Sequence, residues 1–231
     1  MTGTRRPRRA AQERPVFDHG VKLVAIVTMV IDHLGMVFYP EIDVLRVVGR
    51  LALPLFAYLV AEGTHRTSNR EAYLSRLFAL FVCSQFPYGL LVGDKLNIFL
   101  PLVVGGLATS YMIERKQLWS IGLLIAYVGF AHVQDISYGY IGPALVLVFA
   151  AGRPHLVVSS LVVAAIYFGH AELAGSHLSQ MAVFVAPLVP VVVRWVHWRS
   201  PSRWRWAYWV YPVNLALFYL IAWQVGLTEG P

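Results

Sequence analysis

The feature that most constrains this chain is a succession of long apolar segments joined by short polar loops. Nine can be read, over 20–39, 44–62, 72–92, 96–114, 117–132, 138–152, 155–170, 178–198 and 206–226. A backbone that leaves water must satisfy its own amides. A run of about 20 apolar residues does so as a helix long enough to cross the hydrocarbon. The expected fold class is therefore all-α, a polytopic transmembrane helical bundle of about nine spans. The sixth and seventh segments are short, and two readings stay open for them: two full spans or one re-entrant hairpin. Composition agrees, with 58% hydrophobic residues and only 13% charged, against the ~25% charged of soluble domains.

Residues 1–17 read as a basic cytoplasmic tail containing "RRPRRAAQER", and 18–231 as a single transmembrane domain without internal repeats. Placing the loops alternately on two sides sorts the basic residues. One side takes Arg5, Arg6, Arg8, Arg9, Arg14, Lys22, Arg66, Arg70, Arg76, Arg115, Lys116, Arg153, Arg194, Arg199, Arg203 and Arg205. The other keeps only Arg46, Arg50 and Lys95. Lys and Arg stay on the cytoplasmic side, so the N terminus is expected inside and the C terminus outside. Basic tails also suit nucleic acid, but the other cations sit beside apolar segments. The expected surface partner is the lipid bilayer, with no nucleic acid, and no removable signal peptide is read. The lone Cys83 is expected to be a buried structural residue. The tryptophans around the last two segments are expected to form an interfacial belt. Seven prolines within apolar segments, each removing a backbone donor, are read as interruptions around a cavity.

Against this background the stretch "MVIDHLGMVFYP" stands out, because it sets Asp32 and His33 inside the first span. An ionised group at membrane depth costs ~2.5–3.5 kcal/mol on insertion scales, so it usually faces the bundle interior. Lys22 and His33 are eleven residues apart, which returns them to nearly one helix face, ~16 Å apart. Asp32 points ~100° away from His33, toward a neighbouring helix. In the second span Arg46 and Arg50 share a face at i, i+4. Two polar layers follow. An outer layer holds Asp32, His33, Arg46 and Arg50, with Gln85 and Asn97 nearby. An inner layer holds Lys22, Glu62, His65, Arg66, Arg70 and Arg76. A structural alternative is that Asp32–Arg50 and Lys22–Glu62 are buried ion pairs that fix helix register. No metal site is expected, because neither HExxH nor CxxC spacing occurs.

A histidine beside a cation in a sheltered site suits acyl transfer. Neutral imidazole can deprotonate an amine or hydroxyl, or carry the acyl group itself. A guanidinium can polarise a thioester carbonyl. The inner basic layer suits an anionic donor such as acetyl-CoA. Two other classes compete: a proton-coupled small transporter using Asp32, His33 and Glu62 as a relay, and a catalytically silent membrane assembly factor.

Several stretches, in order, resemble the TraX family of membrane acetyltransferases, named for the enzyme that acetylates the N terminus of conjugative pilin. They are "FDHGVKLVAIVTMVIDHLG", "VVGRLALPLFAYLVAEGTHRTSN", "AYLSRLFALFVCSQFPYGLL", "LNIFLPLVVGGL", "DISYGYIGPALVLV" and "YWVYPVNLALF". The resemblance implies an integral membrane acyltransferase, in a bacterial inner membrane, that uses acetyl-CoA and acts on a peptide N terminus or glycan acceptor. Carried over by position, His33 is the catalytic histidine, with Asp32, Arg50 and Glu62 as motif partners. Lys22 stands where the wider acyltransferase superfamily has a basic residue. Lys22, Glu62, His65, Arg66 and Arg76 are the expected donor-binding set. Arg46, Gln85, Asn97, Tyr211 and Asn214 are further polar candidates. The last block departs from the family pattern, which has histidine where "YPVNL" has Asn214.

Overall fold

The computed structural model describes residues 17–152, 155–174, 186–196, 198–200, 204 and 206–227. The helices are α1 His19–Val37, α2 Asp43–Gly49, α3 Ala52–Arg66, α4 Arg70–Val92, α5 Phe99–Ile113, α6 Gln117–Val133, α7 Ile141–Ala151, α8 Leu156–Ala174, α9 Val189–Trp195 and α10 Ala207–Gln224. Among the described residues, α1, α4 and the combined unit Asp43–Arg66 are long and apolar enough to cross a membrane. α5, α6 and α7 are shorter apolar helices. The outer surface carries the same signal. On α6, Leu118, Trp119 and Val133 are 85%, 70% and 78% exposed, and only Ser120 and Tyr127 are buried. An apolar face of this extent is stable against lipid or a partner, not against water.

Two helix starts are capped in the usual way, by a side-chain oxygen that takes an orphan amide. Asp18 accepts from the Val21 amide at 3.2 Å, and Asn69 accepts from the Ala72 amide at 2.9 Å. The chain is not wholly helical. A two-residue strand β1, Phe17–Asp18, pairs antiparallel with β2, Arg199–Ser200. The Trp198 carbonyl accepts from the amides of His19 and Gly20. A side chain at position 20 would collide with the backbone of Val196. Trp204 stacks on the His19 ring with centroids 4.3 Å apart, so it packs at the start of α1. Trp195, Trp206 and Trp209 are exposed.

The second apolar segment, expected as one helix over 44–62, is broken between α2 and α3 at Arg50 and Leu51. The cause is Pro54, which has no amide to donate to the Arg50 carbonyl four residues back. The other prolines require a correction. Pro101, Pro143 and Pro190 lie in the first turns of α5, α7 and α9, where an amide would be unpaired in any case. Only Pro87 and Pro212 interrupt a helix among the described residues. Cys83 is also corrected: it is exposed. The buried side of α4 is drawn by Leu77, Leu80, Ser84 and Pro87, and Cys83 sits one residue, ~100°, off that stripe. The sixth and seventh segments form separate helices, α7 and α8. Most of the eighth lies outside the described residues; what is described of it is a 3₁₀ turn, Ala186–Leu188, followed by α9.

α3 is the central element and packs on α1, α5 and α7. Its Leu53, Leu55, Ala57 and Val60 are almost fully buried. Glycines set the helix spacing, as is common where backbones must come close. A Cβ at Gly105 would press on Val146 of α7, and one at Gly106 on Leu74 and Val60. α1 and α2 approach most closely of all. A Cβ at Gly49 would collide with Cβ and Cα of Asp32, and one at Gly35 with Leu45. Gly49→Val should therefore lower stability by about 1–3 kcal/mol through overpacking. Gly89→Ala, with nothing within 4 Å of the added carbon, should be neutral or slightly stabilising. Thermal unfolding of both variants in the same detergent checks the contrast.

Candidate functional site

A cavity of about 390 Å³ opens at the end of the bundle where α1 and α4 finish. Its wall takes Met29, Asp32, His33 and Met36 from α1, and Arg46 and Gly49 from α2. Arg50, in the break, and Phe56 of α3 continue it. Phe99 and Leu102 of α5 and Tyr211 of α10 close the far side. The segments 92–98 and 135–138 frame the mouth with Lys95, Asp135, Ser137 and Tyr138.

The Asp32–Arg46 pair follows directly from the Gly49 contact. With α2 pressed on α1, Arg46 Nη1 lies 3.0 Å from Asp32 Oδ1 and donates to the Asp32 carbonyl at 2.9 Å. The alternative Asp32–Arg50 pair does not form. Arg50 sits one turn further, where the helix breaks, and Nη1 donates to the Tyr138 hydroxyl. Its guanidinium carbon is 5.5 Å from the centroid of that ring. Tyr138 itself has φ +61°, an unusual backbone for a bulky residue and one that recurs at functional sites.

His33 is 7% exposed. Its Nδ1 donates to Oδ1 of Asn214 at 2.6 Å. The Tyr211 ring, one turn earlier on α10, lies against the imidazole with centroids 5.6 Å apart. Tyr211 in turn meets Phe99 edge-on at 4.7 Å.

Gln85 and Asn97 do not line the cavity. They form a clasp behind it. Gln85 Nε2 donates to the Lys95 carbonyl at 2.9 Å, and Gln85 Oε1 accepts from the Asn97 amide at 3.0 Å. Asn97 Nδ2 reaches the Phe81 carbonyl and Ser84 Oγ, while its Oδ1 accepts from the Phe99 amide. The clasp fixes the turn into α5. The two mouth segments are joined by a backbone bridge between Leu96 and Ile136. A Lys95–Asp135 pair at 3.0 Å and a Tyr88–Ser137 hydroxyl contact add to it. Tyr88, Ser137, Tyr138, Lys95 and Asp135 had no place among the sequence candidates. The signal for most of them was the polar, aromatic loop "DISYGY".

The inner set stays apart. None of Lys22, Glu62, His65, Arg66 and Arg76 lines the cavity. The alternative Lys22–Glu62 pair is replaced by Glu62–Arg66 at 2.6 Å within α3, the shorter reach for two residues one turn apart. Arg66 and Arg76 are exposed. Arg70 Nε donates to the Thr64 carbonyl at 3.2 Å. Met29, Leu53, Phe56 and Leu102 form the apolar floor between the two layers.

Fold and site together define a helical membrane protein with a charged, phenol-rich cavity sunk into its bundle. The chain belongs to the TraX family, whose profile, described as "TraX protein", matches residues 18–222. Among curated relatives, Protein TraX of Escherichia coli is 26% identical over 125 residues, 53% of this chain and 50% of that one. A probable fimbrial assembly protein, FimC of serogroup H1, from Dichelobacter nodosus is 36% identical over 69 residues, 28% of each chain. An uncharacterised protein of Rickettsia prowazekii is 38% identical over 48 residues, 21% of this chain and 19% of its own. The chain thus spans half or less of the length of these relatives. No solved structure matches.

The clasp and the rim pair should differ in worth. Asn97→Leu leaves buried partners unsatisfied and should cost about 1–3 kcal/mol. Lys95→Ala removes a half-exposed ion pair and should cost under about 1 kcal/mol. Urea unfolding in mild detergent measures both.

Proposed function

We propose that this chain is an integral membrane acetyltransferase that moves an acetyl group from cytoplasmic acetyl-CoA to an amine or hydroxyl acceptor at or beyond the membrane. The observation that carries the reading is that His33 and Arg50, from different helices, line one cavity. The imidazole takes the acceptor's proton as the acceptor attacks the thioester carbon. Arg50, steadied by Tyr138, receives the negative charge that develops on the carbonyl oxygen. The Asp32–Arg46 pair holds α1 and α2 in the register that keeps both groups on the cavity.

The same reading sets nine spans in a bacterial inner membrane with the N terminus cytoplasmic, on the Lys and Arg distribution. The cavity mouth then faces outward, where an acceptor such as a peptide N terminus or a glycan arrives. The names of the relatives, a TraX protein and a fimbrial assembly protein, fit a surface-peptide acceptor. Lys22, Arg66 and Arg76 supply cations for the phosphates of acetyl-CoA at the cytoplasmic end, beside Glu62 and His65. The acyl arm has to pass the apolar floor. Met29, the unbranched side chain there, is the one able to swing aside.

Purified protein with radiolabelled acetyl-CoA and a peptide-amine or glycan acceptor tests the reading. His33→Gln should lower turnover at least about a hundredfold, and Arg50→Gln about 10²–10³-fold, with donor binding retained in both. Wild-type protein without affinity for acetyl-CoA would sink the proposal, and solute uptake coupled to protons would put the transporter in its place.

A further inference from the structure

We infer that Asn214 is the positioning residue that fixes the tautomer of His33 and turns the Nε2 lone pair into the cavity. The inference rests on the acetyl-transfer reading for its consequence, but not for its geometry. An amide oxygen carries no proton, so the 2.6 Å contact between Asn214 Oδ1 and His33 Nδ1 requires the hydrogen on Nδ1. A neutral imidazole has only one N–H, and the nitrogen that donates decides which one is left basic. Nδ1 is turned to α10, and Asn214 is absent from the cavity wall that His33 helps to build. The edge of the ring that reaches the cavity is therefore the Nε2 edge.

The surroundings hold that orientation. Tyr211 packs on one side of the ring, and Asn214 is itself 8% exposed, so neither partner has room to turn over. The groups facing the ring from the packed elements are Asp32, Arg46, Arg50, Tyr88, Tyr138 and Tyr211. Asp32 and Arg46 neutralise each other, and Lys95 and Asp135 do the same at the mouth.

The choice of asparagine has a chemical meaning. It orients the imidazole but accepts no proton from it. As the acceptor N–H or O–H attacks, its proton goes to Nε2 while the new N–C or O–C bond forms. The C–S bond then breaks, and the proton on Nε2 passes to the departing thiolate, giving free thiol and neutral imidazole. The proton arrives and leaves by the same nitrogen. A histidine at position 214 would open a second route through Nδ1.

The tautomer can be read without any turnover. In nitrogen-15 histidine-labelled protein in micelles, the His33 signals are isolated by difference against His33→Gln. Wild type should show protonated Nδ1 and unprotonated Nε2, and Asn214→Leu should shift the ring toward the Nε2–H form. In acetyl transfer, Asn214→Leu should lower kcat at least about tenfold with KM for acetyl-CoA nearly unchanged. Asn214→Asp keeps an acceptor oxygen and should restore most of kcat. Its carboxylate favours imidazolium, so the acidic limb of the pH profile should move up by about one unit. Two results overturn the inference: an Nε2–H ring in wild type, or Asn214→Leu with unchanged kcat and pH profile. If wild type transfers no acetyl group, the acetyltransferase reading fails, while the nitrogen spectrum still decides the tautomer.

Discussion

The whole cavity wall depends on how closely α1 and α2 approach. Two glycines, Gly35 and Gly49, take away the side chains that would hold the helices apart. Only at that spacing can one guanidinium reach both the carboxylate and the carbonyl of Asp32. A partly buried ion pair offsets its desolvation only when its geometry is good and its remaining hydrogen-bonding capacity is used. Arg46 meets that condition by serving two acceptors. Once it is committed to Asp32, the next arginine along the chain is left to turn across the cavity toward Tyr138. A backbone contact thus assigns different partners to two arginines that look equivalent in sequence.

Much of this was legible before any coordinates. Helical periodicity set His33 and Met29 on one face, and both line the cavity. The ~100° offset of Asp32 from His33 pointed it at a neighbour, and its partner is on α2. The choice between Arg46 and Arg50 was not legible, because it turns on the break at Pro54 and on a glycine contact between two helices. The prolines were misread for a related reason. A proline in a first turn and one in mid-helix look alike until helix starts are known to within a residue or two. Gln85 and Asn97 seemed to be site residues because polar groups in apolar runs suggest function. Here their hydrogen bonds go to backbone, and they build the turn that carries Phe99. The role of loop residue Tyr138 depends on a tertiary contact that no periodicity announces.

The separation of the two polar layers is equally a matter of axial distance. Lys22 and His33 share a face, but eleven residues of helix put them ~16 Å apart, and apolar side chains fill the interval. The inner layer resolves its charges locally, as Glu62 pairs with Arg66 on its own helix. The outer layer resolves them between helices. That difference makes the outer layer the part of the bundle where geometry, and not sequence proximity, chooses the partners.

The bridge at the cavity mouth has a mechanical consequence. Leu96 donates its amide to the Asp135 carbonyl and accepts from the Ser137 amide, both at 2.9 Å. Pulling the two loops apart would break both bonds, at about 1 kcal/mol net each, whereas shifting them together breaks neither. They therefore behave as one hinged plate, and Tyr138, built into that plate, carries any displacement of it straight to the guanidinium below.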